Sequence, residues 1–406
     1  MADIAPATLA PIRLAGFNLG NFQVDSVTQN GYKIDVYANR HLERALQPKT
    51  AMTNFPAPLI FPVPRIRRAS TDPLLSETNS PLPPPDPAAR LAQLVKGVAD
   101  ALDFMTAQFG PSPIRNLAIT PIPGGFGQGF PGLVYLSTLA YLDPSQRPDG
   151  LHRESEQTFY SELLESHEVA HQWWGNMVVS AGYSDEWLME SLANYSALLL
   201  LEKKKGSKAV DALLESYKSH LLVKSEDGKT LESAGPIIWG VRLQSSLAPN
   251  AWRPVTYEKG TWIIHMLRRR LGDQRFMAFL REIATRYRFA PISTEQFREM
   301  AAQFTPPNSQ DRALKSFFDN WVYGTGIPAV KLAYSVRGLK LTGSVVQRGV
   351  EDDFSALVPL EVQTGRQKAV YWLSTGNEAV PFSIPLKTPP TKVSLLASDS
   401  LMTIWK

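Results

Sequence analysis

The chain has 406 residues, 44% hydrophobic and 20% charged, with a formal net charge of +4. That profile is of a folded globular protein with room for more than one core, and it excludes disordered, collagen-like and strongly basic nucleic-acid-binding chains. There is no cysteine, so neither disulfides nor thiolate metal ligands are available, and no stretch reaches the roughly eighteen apolar residues of a membrane span.

The N-terminus, MADIAPATLAPIRLAGF, lacks a basic segment followed by an apolar one, so it is not a signal peptide as written. The chain reads as soluble, in keeping with the mature part of an exported bacterial protein, with the compartment left open. Residues 12–38 alternate polar and apolar around Asn30-Gly31, which predicts a hairpin. From Pro56 to Pro87 the chain is proline-rich, including PLPPPDP, and reads as an extended connector.

A helix is expected next, with Asp86 as N-cap, Pro87 as its first residue and Gly110-Pro111 as the stop. Leu91, Leu94, Val95, Val98, Leu102, Met105 and Phe109 supply one buried stripe. Residues 116–123 and 132–138 read as short strands. Between them lies GGFGQGFPG, whose nominal GxGxxG lacks the following helix that a dinucleotide site requires.

The stretch LLESHEVAHQWWGNMVVSAGYSDEWLMESLANY, residues 163–195, carries the chemistry. His167 and His171, four residues apart, lie one turn apart on one helix face and can hold a metal ion together. Glu168 between them can act on a metal-bound water. Glu190, nineteen residues after His171, is the candidate third ligand on a second helix that turns near Gly175 and Gly182 allow to fold back. Two histidines, one carboxylate and an open fourth position describe a catalytic zinc, one per chain, rather than a structural one. The alternative, two histidines on a solvated surface helix, leaves the flanking Leu163, Leu164, Val169, Ala170, Trp173 and Trp174 unexplained.

After Glu190 the helix should end at Gly206 behind Lys203–Lys205. Helices are then predicted over 207–223, 257–271, 273–287, 294–304 and 310–322, with a capping box at Ser293 and Gln296, as an α-rich lobe without strands. His41, His152, His220 and His265 lack ligand spacing and read as packed or surface residues. Residues 329–406 alternate between turn signals and predict a small antiparallel β-sandwich.

HEVAHQWWGN followed by DEWLMESLANY, with VTYEKG at 255–260 and WVYGTGIP at 321–328, resembles the gluzincin signature of the M1 family of zinc aminopeptidases. The resemblance covers residues 87 to 330, and more loosely the β-rich ends. It implies an α+β multidomain chain: a β-rich N-terminal remnant (1–55), a proline-rich connector (56–86), a thermolysin-like catalytic domain (87–328) with a small mixed sheet and an α-rich lobe, and a C-terminal β-sandwich (329–406). It also implies a peptide or protein substrate and zinc held by His167, His171 and Glu190. Glu168 would be the general base and Tyr257 the hydroxyl donor to the oxyanion. Long family members continue into a helical domain; without one, the cleft of this chain is expected to be more open.

One departure stands out. In the family an edge-strand glutamate of a Gly-x-Met-Glu-Asn stretch binds the substrate's free α-amine. Here Gly129 occupies that place, and no carboxylate occurs from Pro121 to Leu142. Two alternatives to an aminopeptidase therefore stand: a peptidase not requiring a free N-terminus, and a catalytically silent protein of the same fold.

Overall fold

The computed structural model describes residues 16–46, 84–225, 228–244 and 250–405. The protein is a mixed α/β chain with several sheets. The hairpin forms as expected, from β1 (Phe22–Gln29) and β2 (Tyr32–Asn39). Asn30 and Gly31 both take positive φ, the turn geometry that matches the twist of paired strands. Alternation along β2 places Tyr32, Ile34, Val36 and Ala38 in the core. Residues 12–15 of that prediction, and residues 56–83 of the proline-rich connector, lie outside the described residues.

Helix α1 (Leu91–Phe109) begins four residues later than expected. Asp86 accepts from Ala88 N at 2.9 Å and so caps a turn, not the helix. Arg90 is drawn away from helical geometry, where its guanidinium reaches the carbonyls of Ala140 and Ser161 at 2.6 and 2.9 Å. Gly110 ends the helix with φ +89°. Strands β3 (Asn116–Ile122), β4 (Gln128–Phe130) and β5 (Leu133–Ser137) complete a five-stranded sheet in the order β1-β2-β3-β5-β4. β4, absent from the sequence-based reading, runs antiparallel along the edge of β5.

Two short helices, α2 (Thr138–Tyr141) and α3 (Glu154–Thr158), and a π-helical turn at Phe159–Leu163 lead into α4 (Leu164–Ala170). After β6 (Val178–Ser180) come α5 (Glu186–Lys205) and α6 (Ser207–Leu221). A second π-helical turn, Pro254–Lys259, runs into α7 (Gly260–Leu271), followed by α8 (Asp273–Arg286). β7 (Ala290–Ile292) pairs with β6, so the helical lobe does contain one strand pair, contrary to expectation. α9 (Thr294–Gln303) has the predicted capping box. α10 (Lys315–Trp321) starts late because Asp311 and Leu314 adopt φ of +49° and +56°. The Asp311 carboxylate then accepts from Ser316 N and Phe317 N at 3.2 and 2.9 Å.

The lobe is built around four fully buried tryptophans whose indole N–H groups find acceptors, as burial of a donor demands. Trp173 donates to Gly110 O, Trp174 to Ser196 Oγ, Trp187 to Thr294 Oγ1 and Trp262 to Leu214 O, at 2.8 to 3.1 Å.

The C-terminal strands are β8 (Ala329–Arg337), β9 (Lys340–Arg348), β10 (Leu357–Thr364), β11 (Gln367–Ser374), β12 (Val380–Pro385), β13 (Lys392–Leu395) and β14 (Thr403–Ile404). They form two sheets, β12-β9-β8-β14 and β11-β10-β13. Val330, Leu341 and Val345 of one share a core cluster with Val358, Leu360 and Leu373 of the other. Pairing is antiparallel except for β14, which joins β8 in parallel.

A buried clasp joins the second π turn to the segment entering these strands. Lys259 Nζ lies 2.6 Å from Glu232 Oε1, with side chains 0% and 1% exposed. Lys259 also donates to Gly324 O at 3.1 Å, while Glu232 accepts from Gly326 N at 2.8 Å. Removing one partner strands a buried charge, so Lys259→Met should cost about 3–5 kcal/mol in urea unfolding, and adding Glu232→Gln should recover much of it. A K259M loss below about 1 kcal/mol would show that the clasp does not hold the fold.

Candidate active site

The site is assembled by α4 and α5. α4 is buried along its whole length and ends at His171, so His167 and His171 leave one face one turn apart. α5 packs against α4, and Glu190 enters from its first turns. His167 Nε2 and His171 Nε2 stand 3.1 Å apart, and Glu190 Oε2 is 3.4 and 3.5 Å from them. A tetrahedral zinc with bonds of about 2.0–2.1 Å requires donors roughly 3.3–3.4 Å apart. The triangle has that size.

The donor chemistry agrees. Two imidazole nitrogens facing each other beside a carboxylate call for a cation among them, since neutral imidazoles would oppose lone pairs. His171 Nδ1 faces Trp174 O at 2.8 Å, which fixes the tautomer that points Nε2 at the triangle. Two nearby carboxylates, Asp185 and Glu165, are engaged elsewhere. Asp185 Oδ1 accepts from Thr294 N at 2.7 Å, and Glu165 is buried against Gly97. Burial raises the Glu165 carboxyl to about 8.

Among the described residues, His167, Glu168 and His171 also form a close group, with donor atoms within 4.8 Å of one another. Glu190 Oε2 lies within 3.5 Å of both imidazoles. Glu168 stands beside the triangle with Oε2 buried and without a partner. Burial pushes its carboxyl above the usual range, against the pull of His167 and His171. Burial opposes charge on His171, yet Glu190 and Glu168 raise it to about 9. For Glu190, burial is outweighed by His171 and His167, which hold its carboxyl below the ordinary range. Tyr257, from the second π turn, has its ring 5.9 Å from that of His167 and bonds Glu190. Burial and then the Glu190 charge keep the Tyr257 hydroxyl protonated. All five residues singled out from sequence thus meet at one place. His265 is packed as expected, buried against Tyr195 OH at 3.0 Å.

The edge strand is stapled over the site by side chains of the HQWWGN run. Gln172 Nε2 donates to Phe130 O at 2.9 Å and its Oε1 accepts from Gly132 N at 3.0 Å, while Asn176 Nδ2 donates to Gly129 O at 3.1 Å. The strand lies so close that a Cβ at Gly129 would be 2.6 Å from both Glu168 O and His171 Cβ, and one at Gly127 would be 2.5 Å from Glu168 Oε1. Glycine here is required by contact.

A cavity of about 820 Å³ opens from the triangle, walled by Phe126, Gln128, Phe159, Trp252 and Arg253 among others. A second, of about 570 Å³, shares Gln128, Glu190 and Trp252 with it. The sequence-based reading missed His220 and Glu258, which face the first cavity. His220 was set aside for lacking ligand spacing, although Glu258 lies within the YEKG run.

Residues 142–321 match the peptidase family M1 domain. The chain is 30% identical over 185 residues to Aminopeptidase RNPEPL1 of Homo sapiens, covering 44% of this chain and 25% of that protein. It is 23% identical over 244 residues to Glutamyl aminopeptidase of Sus scrofa (59% and 24%). To Aminopeptidase N of Lactococcus lactis subsp. lactis it is 26% identical over 169 residues (41% and 19%). The matched region spans about a quarter of the length of these relatives. In fold, the structure is similar to Legionella pneumophila aminopeptidase A, solved in complex with aspartic acid, with a TM-score of 0.62 at 15% identity, covering 95% of this chain and 38% of that one.

Two outcomes follow. Gly129→Ala should lower stability by about 1–3 kcal/mol in denaturant unfolding, because backbone lies in the way; an unchanged midpoint would show that the strand yields freely. The hydrogen bond that His220 donates to Glu258, opposed by partial burial, raises the His220 pKa above 6.5. Its folded-state stabilisation is therefore present below the unfolded pKa and fades as pH rises through the folded value. Proton NMR should give a titration midpoint above 6.5 that falls in Glu258→Gln.

Proposed function

The chain belongs to peptidase family M1 through residues 142–321, and on that premise we propose that it hydrolyses peptide bonds with one zinc ion held by His167, His171 and Glu190, as an M1-type aminopeptidase. The observation that carries this reading is the donor triangle, with sides of 3.1, 3.4 and 3.5 Å, beside the buried Glu168 carboxylate, whose Oε2 has no hydrogen-bond partner. We read residues 87–328 as the catalytic domain, thermolysin-like in plan, and 329–406 as a β-sandwich, with 1–55 and 56–86 as the remnant and connector before them.

Zinc bound there supplies Lewis-acid polarisation and lowers the pKa of water toward neutrality. Glu168 takes a proton from the attacking water and delivers it to the leaving amine. Its burial suits that exchange, since a fully solvated carboxylate would be too weak a base to hold the proton between steps. Tyr257, kept protonated, donates a hydrogen bond to the oxyanion that forms as the carbonyl is attacked. Phe126, Phe159 and Trp252 offer apolar wall to a substrate side chain.

A second reading, a peptidase that does not need a free N-terminus, is favoured by two features of the cleft. The edge strand presents Gly127, Gln128 and Gly129 where an amine-binding carboxylate would stand, and cavities open on both sides of Glu190. A peptide chain could then extend in both directions from the cleavage point.

Glu168→Gln should retain zinc at one equivalent while hydrolysis of a free peptide falls at least a thousandfold; retained activity would remove Glu168 from its role. Tyr257→Phe should lower kcat about 10²–10³-fold with little change in KM. A chelator should stop cleavage, and zinc should restore it. Comparing a peptide with its N-acetylated twin then separates the two readings, because cleavage of the blocked form supports the second.

A further inference from the structure

Three carboxylates line the first cavity among the described residues: Glu168, Glu190 and Glu258. The first two belong to the donor triangle and its base. Glu258 follows Tyr257 on the same π turn, so it faces the same cavity from a neighbouring direction. Its side chain is 20% exposed, and its oxygens lie 2.9 and 3.0 Å from His220 Nδ1, at the end of α6. His220 is 50% exposed.

The contrast with Glu232 is informative. Glu232 is sealed between Lys259 and Gly326 N, a buried lysine and a backbone donor. Glu258 is held only by a weakly basic imidazole at the mouth of a cavity, a partner that can give way to a stronger cation. Nor is the pair needed to tie α6 to the helix behind it. Trp262 Nε1 already donates to Leu214 O at 2.8 Å. The Tyr217 hydroxyl lines the same wall and adds a neutral hydrogen-bonding group. The cation Arg253, stacked 5.9 Å from the Tyr257 ring centroid, borders the cavity and restricts where a second positive charge can settle. The edge strand contributes no carboxylate to this space.

We propose that Glu258, backed by His220, is a cation subsite that receives a substrate ammonium group. It rests on the reading of this cavity as a peptide-hydrolysing site. The ammonium could be a peptide's α-amine or a lysine side chain, and the test separates the two.

The experiment uses the zinc-loaded, hydrolysis-blocked Glu168→Gln protein and calorimetric binding of four probes: Lys-Ala-Ala, norleucyl-Ala-Ala, and the N-acetylated form of each. Adding Glu258→Gln should weaken about tenfold the probes that carry the ammonium it receives and leave acetyl-norleucyl-Ala-Ala unchanged. Loss for both unblocked peptides alone assigns the α-amine; loss for both lysine peptides, blocked or not, assigns the side chain. His220→Ala, which frees the carboxylate, should hold or strengthen binding of the charged probes. Equal loss for all four probes, no loss, no binding, or a His220→Ala loss matching that of Glu258→Gln overturns the proposal. Cleavage of the same peptides by the unmodified protein is scored separately. If none is cleaved while Glu258-dependent binding persists, the hydrolytic reading fails and the subsite stands.

Discussion

Everything in this protein answers to one demand: three donor atoms from two helices must meet within 3.5 Å of one another. Bringing a carboxylate to two facing imidazoles in a largely buried setting carries desolvation and repulsion costs that only a cation among them offsets. The scaffold must therefore hold the geometry by other means. It does so with bulk: Trp173, Trp174 and Trp187 are at most 2% exposed, and each indole N–H is bonded to a different part of the chain. Such packing leaves α4 and α5 little freedom to drift apart, which is how a site keeps the placement that catalysis needs.

The HQWWGN run does more than follow the second histidine. Its tryptophans anchor the helix from behind, while Gln172 and Asn176 reach forward to hold the edge strand. The same few residues thus fix the floor and one wall of the cleft. The closeness of that wall explains the glycines of GGFGQGF: where the strand crosses Glu168 and His171, there is no room for a side chain to begin. A feature that reads in the sequence as a lost carboxylate is, in space, a close backbone approach.

The parts legible from sequence were those governed by local spacing. His167 and His171 follow from helical periodicity, Glu190 from its place nineteen residues on in a second helical stretch, the hairpin from Asn30-Gly31, and the capping box of α9 from Ser293 and Gln296. What escaped was decided by distant partners. β4 is three residues long and exists because β5, Gln172 and Asn176 pair with it. β6 and β7 are separated by about a hundred residues and find each other only once the lobe has closed. The late start of α10 depends on two left-handed residues that no pattern announces. His220 is unremarkable as a lone histidine, and gains meaning only because α6 delivers it to Glu258 across 38 residues of chain.

The last described segment has a mechanical implication. Leu401 belongs to the large core and Met402, its neighbour, to the core between the two C-terminal sheets, and both are fully buried. Ser398 O and Asp399 meet His265 and Arg269 of α7, and Leu401 N lies 3.3 Å from Met266 Sδ. Consecutive residues thus rivet one core to the other along the back of the helix that continues from Tyr257. Heat or denaturant should find no seam there along which the C-terminal sheets peel away while the rest stays folded. Strain applied at those strands would be felt, through a single helix, at the Tyr257 hydroxyl beside the donor triangle.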